Sequence, residues 1–542
     1  MKAIALEHDK TKNFFNDRYV WLLLIISLSV RIYLSFFTYV IKNDSVAFMQ
    51  IAKYFASGDF SSGLGHDYHP LYSLIMAALY KIVPNMELSG TIVSVFFGTL
   101  TVIVFYLIGK NIFDRKISFV SSIILAFHPY AVRFSTDIIS ESTYFFFFIS
   151  ALGSGYFAIT NRKLLLFVLT GICSALAYLA RPEGIGIIVI VASWCAFKDC
   201  INIKVLWKEK LVSILVLVVS FLVFSMPYLV YIKKETGNWR LTKKKALTQI
   251  AAGTVSIGKN NDSLVEEEGD KNKSLPGNII KQTIAEKSNF NKQISSILHI
   301  VKKYISSFHP VLFMFFIFGV IKWSRIRKKQ LFGFYIITVI AFYLFILHRL
   351  SITYLSGHDG VLMYPSRRHL MPLVIPAIFC VGIGIHTTGV WMHEKFQSNS
   401  LIVGFKELLK STWTVQLLIL MIVVCVLLPK TLKPQRLDKL GIKKAGLWVR
   451  EHSDKSPVIL GMSPRNAYYA GGKHIQMDSI NGALVYARAK NVDYILITSR
   501  EFKVIEKEIL QSIKDKKITL AYKYQGKKPL NRHSVFLYKV LY

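Results

Sequence analysis

Apolar runs long enough to cross a lipid bilayer recur along most of this 542-residue chain. A helix rises 1.5 Å per residue, so about 20 apolar residues span the roughly 30 Å hydrocarbon layer. Hydropathy read in windows predicts about eleven such spans. They lie near 19–41, 88–109, 117–132, 138–160, 163–180, 183–198, 211–232, 309–323, 331–349, 369–391 and 413–429. The chain is therefore predicted to be a polytopic α-helical membrane protein.

The formal net charge is +35, from 67 Lys and Arg against 32 Asp and Glu. Much of the excess flanks the predicted spans, where anionic headgroups attract Lys and Arg. No recognisable nucleic-acid-binding module accompanies the charge. We therefore predict a lipid bilayer as the surrounding partner and no nucleic-acid partner. The same positive field favours polyanionic lipid substrates.

Loop charge predicts how the chain is oriented. Four basic loops fall on one side of the membrane by parity: 110–116, 161–163, 198–210 and 325–329. The positive-inside rule makes that side cytoplasmic. The extracytoplasmic side then receives a first outer loop at 42–87, a long outer loop at 233–308 and the region after residue 429. This predicts a multi-pass protein of the plasma or inner membrane.

The last segment, 430–542, differs from the rest in composition. Short β-rich runs alternate with helical patterns, which predicts a small α/β domain. The β-rich runs are Pro457 to Gly461, Val492 to Thr498, Ile518 to Tyr524 and Ser534 to Val540. We expect a transmembrane catalytic domain at 1–429 and an extracytoplasmic α/β domain at 430–542.

The cysteine pattern argues against disulfide and zinc chemistry. All five cysteines lie within or at the edge of apolar segments: Cys173, Cys195, Cys200, Cys380 and Cys425. None has the spacing of a Cys-based zinc site. The sequence thus indicates no metal site and no cofactor, and it leaves the need for a divalent cation open.

Ionisable residues at the predicted outer surface are the candidates for a functional site, because charges beside a bilayer are costly. Asp44 comes first, directly after the first span and before a mildly amphipathic run at 46–56. Asp137 and Glu141 are four residues apart, so on a helix they would share a face. Arg133 is the expected partner of Glu141. The alternative is that these acids only cap helices in water.

Two further pairs lie at other outer turns. Arg181 and Glu183 stand in a tight turn with Pro182 and Gly184, where an interfacial ion pair is the alternative reading. Arg367 and Arg368 open a span, and positive charge there opposes the helix dipole. That placement favours an anionic ligand, with headgroup anchoring as the alternative.

Several carboxylates and guanidinium groups at a lipid interface suit sugar transfer from a polyprenyl phosphate. The acceptor hydroxyl loses a proton as it attacks the anomeric carbon, which a carboxylate base assists. The leaving phosphate needs cationic stabilisation, which arginine supplies. A transporter or flippase of lipid-linked sugars would instead place ionisable residues near the membrane midplane. A scaffold subunit without catalysis is the third hypothesis.

Short motifs along nearly the whole chain carry a resemblance. They are Asn43-Asp44, His69-Pro70-Leu71-Tyr72, His128-Pro129 through Arg133 to Ser140-Glu141, Ala180-Arg181-Pro182-Glu183-Gly184, Arg367-Arg368-His369-Leu370-Met371-Pro372 and Asn466-Ala467-Tyr468-Tyr469-Ala470-Gly471-Gly472. In these motifs the chain resembles the GT-C superfamily of membrane glycosyltransferases, close to bacterial protein O-mannosyltransferases and aminoarabinose transferases.

The resemblance implies the GT-C fold, a polyprenyl-phosphate monosaccharide donor and transfer without a metal. It implies Asp44 as general base and Glu141 as a second catalytic carboxylate. The residues then expected to bind substrate are Arg133, Asp137, His69, Tyr72, Arg181, Glu183, Arg367 and Arg368. His69 departs from the pattern, since many relatives carry Lys-Pro-Pro or Pro-Pro there. The sugar stays open, and so does the acceptor, which is a lipid, a glycan or a protein hydroxyl.

Overall fold

The computed structural model describes nine stretches of the chain. They are residues 17–197, 207–243, 277–323, 330–357, 365–398, 411–453, 455–477, 483–526 and 534–542. Cys200, part of the loop 198–210 and part of the loop 233–308 lie outside these stretches. The four described cysteines, Cys173, Cys195, Cys380 and Cys425, are free thiols.

Helices make up nearly all of the described chain before residue 432. In chain order they are α1 (Arg18–Phe36), α2 (Asn43–Ala56), α3 (Phe60–Leu64), α4 (Leu71–Tyr80), α5 (Met86–Ile112), α6 (Arg115–Phe127), α7 (Pro129–Phe134), α8 (Glu141–Asn161), α9 (Leu164–Ala180), α10 (Gly186–Phe197), α11 (Trp207–Thr236), α12 (Gly277–Ser307), α13 (Pro310–Trp323), α14 (Gln330–Gly357), α15 (Arg367–Ser398) and α16 (Thr412–Thr431). A short 3₁₀ helix, Pro182–Ile185, joins α9 to α10.

Within the described stretches, seven helices are long and apolar enough to cross a membrane: α1, α5, α8, α11, α14, α15 and α16. The end of α12 and α13 meet at a bend of 101° and would make an eighth span. Each of the about eleven spans predicted from hydropathy coincides with a helix, but some of these helices are short. The helix α6, for example, has only 13 residues. The prediction of a polytopic helical protein is confirmed. Fewer spans than the predicted eleven are counted because several of the helices are too short to qualify by length.

The first span ends earlier than predicted. Helix α1 stops at Phe36, and residues 37–42 run on without helical structure to the start of α2. The first outer loop, 42–87, then contains α2, α3 and α4. These helices share a buried apolar cluster that includes Phe48, Ile51 and Tyr72. The loop that follows the first span is thus a packed unit rather than an open connection.

Helix α15, which begins with Arg367 and Arg368, is held by a close crossing with α13. A methyl group added at Gly319 would come within 1.7 Å of the carbonyl oxygen of Cys380, and one at Gly384 within 2.0 Å of that of Phe315. Small residues let two membrane helices approach this closely. Helix α8 packs between α5 and α9. These contacts position the ends of α8 and α15 on one side of the bundle.

The C-terminal region forms an α/β domain, as its alternating pattern predicts. Its strands are β1 (Val458–Gly461), β2 (Lys473–Gln476), β3 (Tyr494–Thr498), β4 (Ile518–Tyr524) and β5 (Val535–Val540). Its helices are α17 (Leu440–His452), α18 (Arg465–Ala470), α19 (Ala483–Ala489) and α20 (Ser499–Lys514). The strand order is β2-β1-β3-β5-β4, with β5 antiparallel to both neighbours.

Both faces of this sheet are covered. Successive side chains of a strand point to opposite faces. Ile495 and Ile497 of β3 accordingly join the cluster packed against α20, while Leu496 joins the one packed against α17. All four predicted strands are found. The strand β2 was missed, because its sequence is polar and half exposed.

Candidate active site

Asp44 lies in the first turn of α2, where the helix dipole favours negative charge. Its carboxylate accepts a hydrogen bond from Arg368 at the start of α15, and a further one comes from the Tyr68 hydroxyl. Its side chain is 26% exposed. Burial alone would raise the pKa of Asp44, but the charge of Arg368 and these hydrogen bonds lower it. The group is therefore ionised at neutral pH.

Tyr68 is suited to remain a donor to this carboxylate. Burial and the negative charge of Asp44 raise the pKa of its phenol to about 12. The phenol thus keeps its proton at neutral pH. The lowered pKa also makes the Asp44 carboxylate a weak base. It can therefore take a proton from a substrate hydroxyl only while that hydroxyl forms its new bond.

Glu141 lies at the first position of α8 and is 2% exposed. Its Oε1 accepts a hydrogen bond of 3.0 Å from Nη1 of Arg181 and lies 3.8 Å from Nη1 of Arg368. Arg181 also holds Glu183, with 3.1 Å between Nη2 and Oε1. Arg368 bridges Asp44 and Glu141, so five charged side chains alternate in sign. We call this set, Asp44-Arg368-Glu141-Arg181-Glu183, the carboxylate network.

The carboxylate network joins four segments of the chain: α2, α8, the turn after α9 and α15. Burial alone would lower the pKa of Arg181, but Glu183 and Glu141 raise it, so Arg181 stays charged. Tyr343 Oη fixes the turn by donating to the Glu183 carbonyl over 2.7 Å. The cavity beside the network measures about 20 Å³, which is room for roughly one water molecule.

The predicted pairing of Arg133 with Glu141 is wrong. Arg133 instead donates from Nη2 to the carbonyl oxygen of Lys430 over 3.1 Å. Residues 135–140 form turns rather than helix. The four-residue spacing of Asp137 and Glu141 therefore does not place them on one face, and the two acids have different partners.

Asp137 is 2% exposed and forms ion pairs with two cations. Its Oδ2 lies 2.7 Å from Nζ of Lys42, and its Oδ1 accepts a hydrogen bond from Arg436. Arg436 adopts a left-handed conformation, with φ of 52°, and also donates to the carbonyl of Val40. Asp137 thus ties the first outer loop to the start of the C-terminal region.

A second group of charges surrounds the ring of Tyr130 in α7. The guanidinium carbon of Arg367 lies 4.9 Å from the ring centroid, and Nζ of Lys430 lies 5.1 Å from it. Arg133 contacts the backbone of the same lysine. Among the described residues, no carboxylate lies within ion-pair distance of these three cations. We call Tyr130, Arg133, Arg367 and Lys430 the Tyr130 cluster.

Sequence reasoning missed Lys430 and Tyr130. Lys430 ends an apolar run and looks like an ordinary membrane-boundary lysine, and the partner ring lies 300 positions away in the chain. The adjacent residues Arg367 and Arg368 were both expected to bind an anion. In the structure they have different partners: Arg368 belongs to the carboxylate network and Arg367 to the Tyr130 cluster.

His69 and Tyr72 hold the first outer loop in place. Nδ1 of His69 lies 2.6 Å from the carbonyl oxygen of Tyr178 in α9. The hydroxyl of Tyr72 donates to the carbonyl of Gly90 in α5 over 2.9 Å. These bonds give both side chains a structural role, and a substrate contact for them stays a prediction. Among the described residues, no group of three or more His, Cys, Asp or Glu could hold a metal ion.

Known proteins with a similar sequence or fold point to the class of protein. Residues 67–231 match the model of a family described as dolichyl-phosphate-mannose-protein mannosyltransferase. No curated protein matches the chain. ArnT from Cupriavidus metallidurans, solved with undecaprenyl phosphate, is 11% identical with a TM-score of 0.55, over 96% of this chain and 98% of that one.

A second similar structure is the Archaeoglobus fulgidus oligosaccharyltransferase, in a complex with Zn and sulfate. It is 14% identical with a TM-score of 0.53, over 88% of this chain and 67% of that one. At such identities the likeness establishes the fold. It confirms the resemblance seen in the motifs, and the chain has the fold of the GT-C superfamily.

Proposed function

We propose that this protein is a membrane glycosyltransferase that moves a monosaccharide from a polyprenyl-phosphate donor to an acceptor hydroxyl. The observation that carries the proposal is the carboxylate network at the ends of α2, α8 and α15, next to a cationic cluster. The family match and the ArnT structure with undecaprenyl phosphate support the same donor class.

In this proposal Asp44 is the general base. The acceptor oxygen attacks the anomeric carbon, and its proton passes to the Asp44 carboxylate. The bond between the anomeric carbon and the phosphate oxygen breaks, and the polyprenyl phosphate leaves with the electron pair. Glu141 holds Arg368 and Arg181 in place, and Arg368 orients Asp44.

The Tyr130 cluster is the proposed place for the donor phosphate. The leaving group is a phosphate monoester whose second pKa is near 6, so it departs largely as a dianion. Arg367, Lys430 and Arg133 offer three positive charges, and among the described residues none of the three has a carboxylate within ion-pair distance. An anion bound there would offset their mutual repulsion. Arginine also suits phosphate because it can donate two parallel hydrogen bonds.

We place the site on the extracytoplasmic side of a plasma or inner membrane. Glu141 begins α8, and the basic stretch Asn161-Arg162-Lys163 follows the other end of that helix. If the basic end is cytoplasmic, the carboxylate network and the C-terminal domain that contacts its loop face outward. A polyprenyl-linked sugar is a suitable donor there because its lipid chain resides in the bilayer.

The transporter alternative has less support. Arg31 is an ionisable residue buried inside the first span, as a transport pathway would require. However, its Nη1 donates to the hydroxyl of Ser27 in the same helix over 2.6 Å. The described carboxylates discussed above lie at helix ends rather than near the midplane, which favours chemistry at the membrane surface.

The test is transfer by the purified protein in liposomes that carry polyprenyl-phosphate hexoses and pentoses. Products are followed by mass spectrometry with lipid, glycan and protein acceptors. We expect Asp44→Asn to lower turnover by about 10²–10⁴-fold, the usual contribution of a general base. Asp59→Asn is the matched control, because Asp59 is partly exposed in the same loop and asparagine caps α3 equally well.

Asp59→Asn should keep the thermal unfolding temperature of the wild type, and Asp44→Asn should lower it only slightly, because the Asp44–Arg368 pair is partly exposed. Near-normal turnover by Asp44→Asn would remove Asp44 from the role of base. If the wild type moves the lipid-linked sugar across the bilayer and transfers it to no acceptor, the glycosyltransferase proposal fails and the flippase reading replaces it.

A further inference from the structure

The segment that leads to Asp44 is held mainly by the C-terminal region. After α1 ends at Phe36, residues 37–42 run without regular helix, and Asn43 begins α2. We call residues 37–43 the entry segment. Val40 and Ile41 in its middle are buried, and buried backbone N–H and C=O groups need partners. The source of those partners therefore determines what positions Asp44.

Residue 41 has both backbone groups bonded to the C-terminal domain. Its N–H donates to the hydroxyl of Tyr469 over 3.0 Å, and its carbonyl accepts from Nη1 of Arg465 over 3.3 Å. The accepting hydroxyl of Tyr469 and the donating guanidinium of Arg465 both belong to α18. Ile41 and Tyr469 are buried, at 6% and 4% exposed. A short helix of the terminal domain thus holds the backbone N–H and C=O of a single residue of the entry segment.

The neighbouring residues are held in the same way. The hydroxyl of Ser463 donates to Oδ1 of Asn43 over 2.6 Å, and Nε of Arg465 donates to Ser463 over 2.9 Å. Further back, the N–H of Tyr39 donates to the carbonyl of Gln435 over 3.3 Å. Asn43 is the residue directly before Asp44. The contacts with the C-terminal region therefore continue up to the carboxylate.

Packing links the same tyrosine to the helix that carries Asp44. The ring of Tyr469 belongs to the buried cluster of the first outer loop, together with Phe48, Met49 and Ile51 of α2. Tyr469 thus contacts the entry segment through its hydroxyl and the α2 cluster through its ring. None of the described contacts of Asp44 itself comes from the C-terminal domain; they come from Arg368, Tyr68 and Lys42.

We infer that Tyr469 and Ser463 are positioning residues for the reaction, so that the C-terminal α/β domain sets the geometry between Asp44 and Arg368. This inference rests on the proposed function for its kinetic consequence. It assigns the terminal domain a role in turnover that does not require contact with substrate. The geometry of a catalytic group matters because a displacement of about 1 Å can cost about 10²-fold in rate.

The experiment compares Tyr469→Phe with the matched control Tyr468→Phe. The first change removes only the hydroxyl that accepts from Ile41. Tyr468 is its neighbour on α18, but its hydroxyl bonds Glu87 and not the entry segment. We expect Tyr469→Phe to lower kcat about 10-fold with the donor KM unchanged. Tyr468→Phe should keep the wild-type kcat.

A pH profile separates positioning from general loss of structure. If Asp44 moves away from Arg368, its pKa rises toward the ordinary value, so the acid limb of kcat/KM should shift to higher pH in Tyr469→Phe. Ser463→Ala should shift the limb in the same direction. Unchanged kcat in Tyr469→Phe overturns the inference. A lower kcat with an unmoved acid limb and a lowered unfolding temperature also overturns it.

Hydrogen exchange supplies a readout that does not depend on activity. Tyr469→Phe should increase amide exchange across residues 41–45, while Tyr468→Phe should not. If the wild type transfers no sugar, the proposed function fails, but this exchange result still shows whether Tyr469 holds the entry segment. Equal protection in both variants would exclude that role.

Discussion

Replacing Asp137 by asparagine distinguishes a structural carboxylate from a substrate-binding one. The sequence assigned Asp137 to substrate binding, whereas its described partners are Lys42 and Arg436. Asparagine keeps the size of the side chain and removes its charge. Two cations then remain beside a neutral, nearly inaccessible group.

The expected cost follows from the geometry of the ion pairs. At the 2.7 Å between Nζ of Lys42 and Oδ2 of Asp137, Coulomb attraction is about 6 kcal/mol with an effective dielectric constant of about 20. Desolvation of the charges opposes this gain, and Lys42 remains 26% exposed. Breaking a buried pair by removing one partner typically costs about 3–5 kcal/mol, and we expect Asp137→Asn to fall in that range.

Denaturant unfolding of the purified protein in detergent measures the free energy of unfolding. Arg436→Gln should cost a comparable amount, and the double variant should lose about 1–3 kcal/mol less than the sum of the two. Asp515→Asn is the control, since Asp515 forms an exposed pair with Lys517 at the same distance of 2.7 Å. Exposed pairs contribute little, so no measurable change is expected there.

The pH dependence gives an independent check on Asp137. Burial alone would raise its pKa, but the charges of Lys42 and Arg436 and their hydrogen bonds lower it. A lowered native pKa adds stability that is complete above the unfolded value of about 3.9 and is lost as the pH falls through the native value. The loss of stability below about pH 4 should therefore be shallower in Asp137→Asn. A raised substrate KM with unchanged unfolding would refute the structural assignment.

Two further changes test the neighbouring sites. Lys430→Gln should raise the donor KM about 10-fold with little effect on kcat, because it removes one charge from the Tyr130 cluster. The control is Lys433→Gln, since Lys433 is exposed three residues later. This control should leave the donor KM unchanged. Arg181→Lys keeps the charge but cannot hold Glu141 and Glu183 together through a planar fork. We expect it to lower kcat at least about 10-fold and to reduce the unfolding temperature, and wild-type values for both would contradict this reading.

The sequence predicted the helices and the C-terminal strands because both carry periodic apolar patterns. Local turns were also readable: Arg181 and Glu183 are two residues apart and do form an ion pair. Counting the predicted spans also placed Asp44 and Arg368 on the same side of the membrane. It could not show that they touch, since the two residues are 324 positions apart.

The failures have physical reasons. The spacing of Asp137 and Glu141 suggested one helical face, but Asp137 lies in the turns at 135–140 and Glu141 begins α8. Glu141 therefore pairs with Arg181 instead. Arg436 closes the ion pair with Asp137 from a left-handed backbone conformation that its sequence does not signal. Tertiary contacts of this kind depend on the full packing of the bundle, which no local pattern encodes.

The two arginines at the start of α15 illustrate how such packing creates a site. Positive charge at a helix N-terminus opposes the dipole, so each arginine needs a compensating contact. Arg368 has this contact with Asp44 and Glu141, whereas among the described residues Arg367 lies against the face of Tyr130 with no carboxylate in ion-pair distance. On the proposed function, the donor phosphate supplies the missing negative charge. One helix end would then hold the leaving group through one residue and the base through the next, which places the anomeric carbon between them.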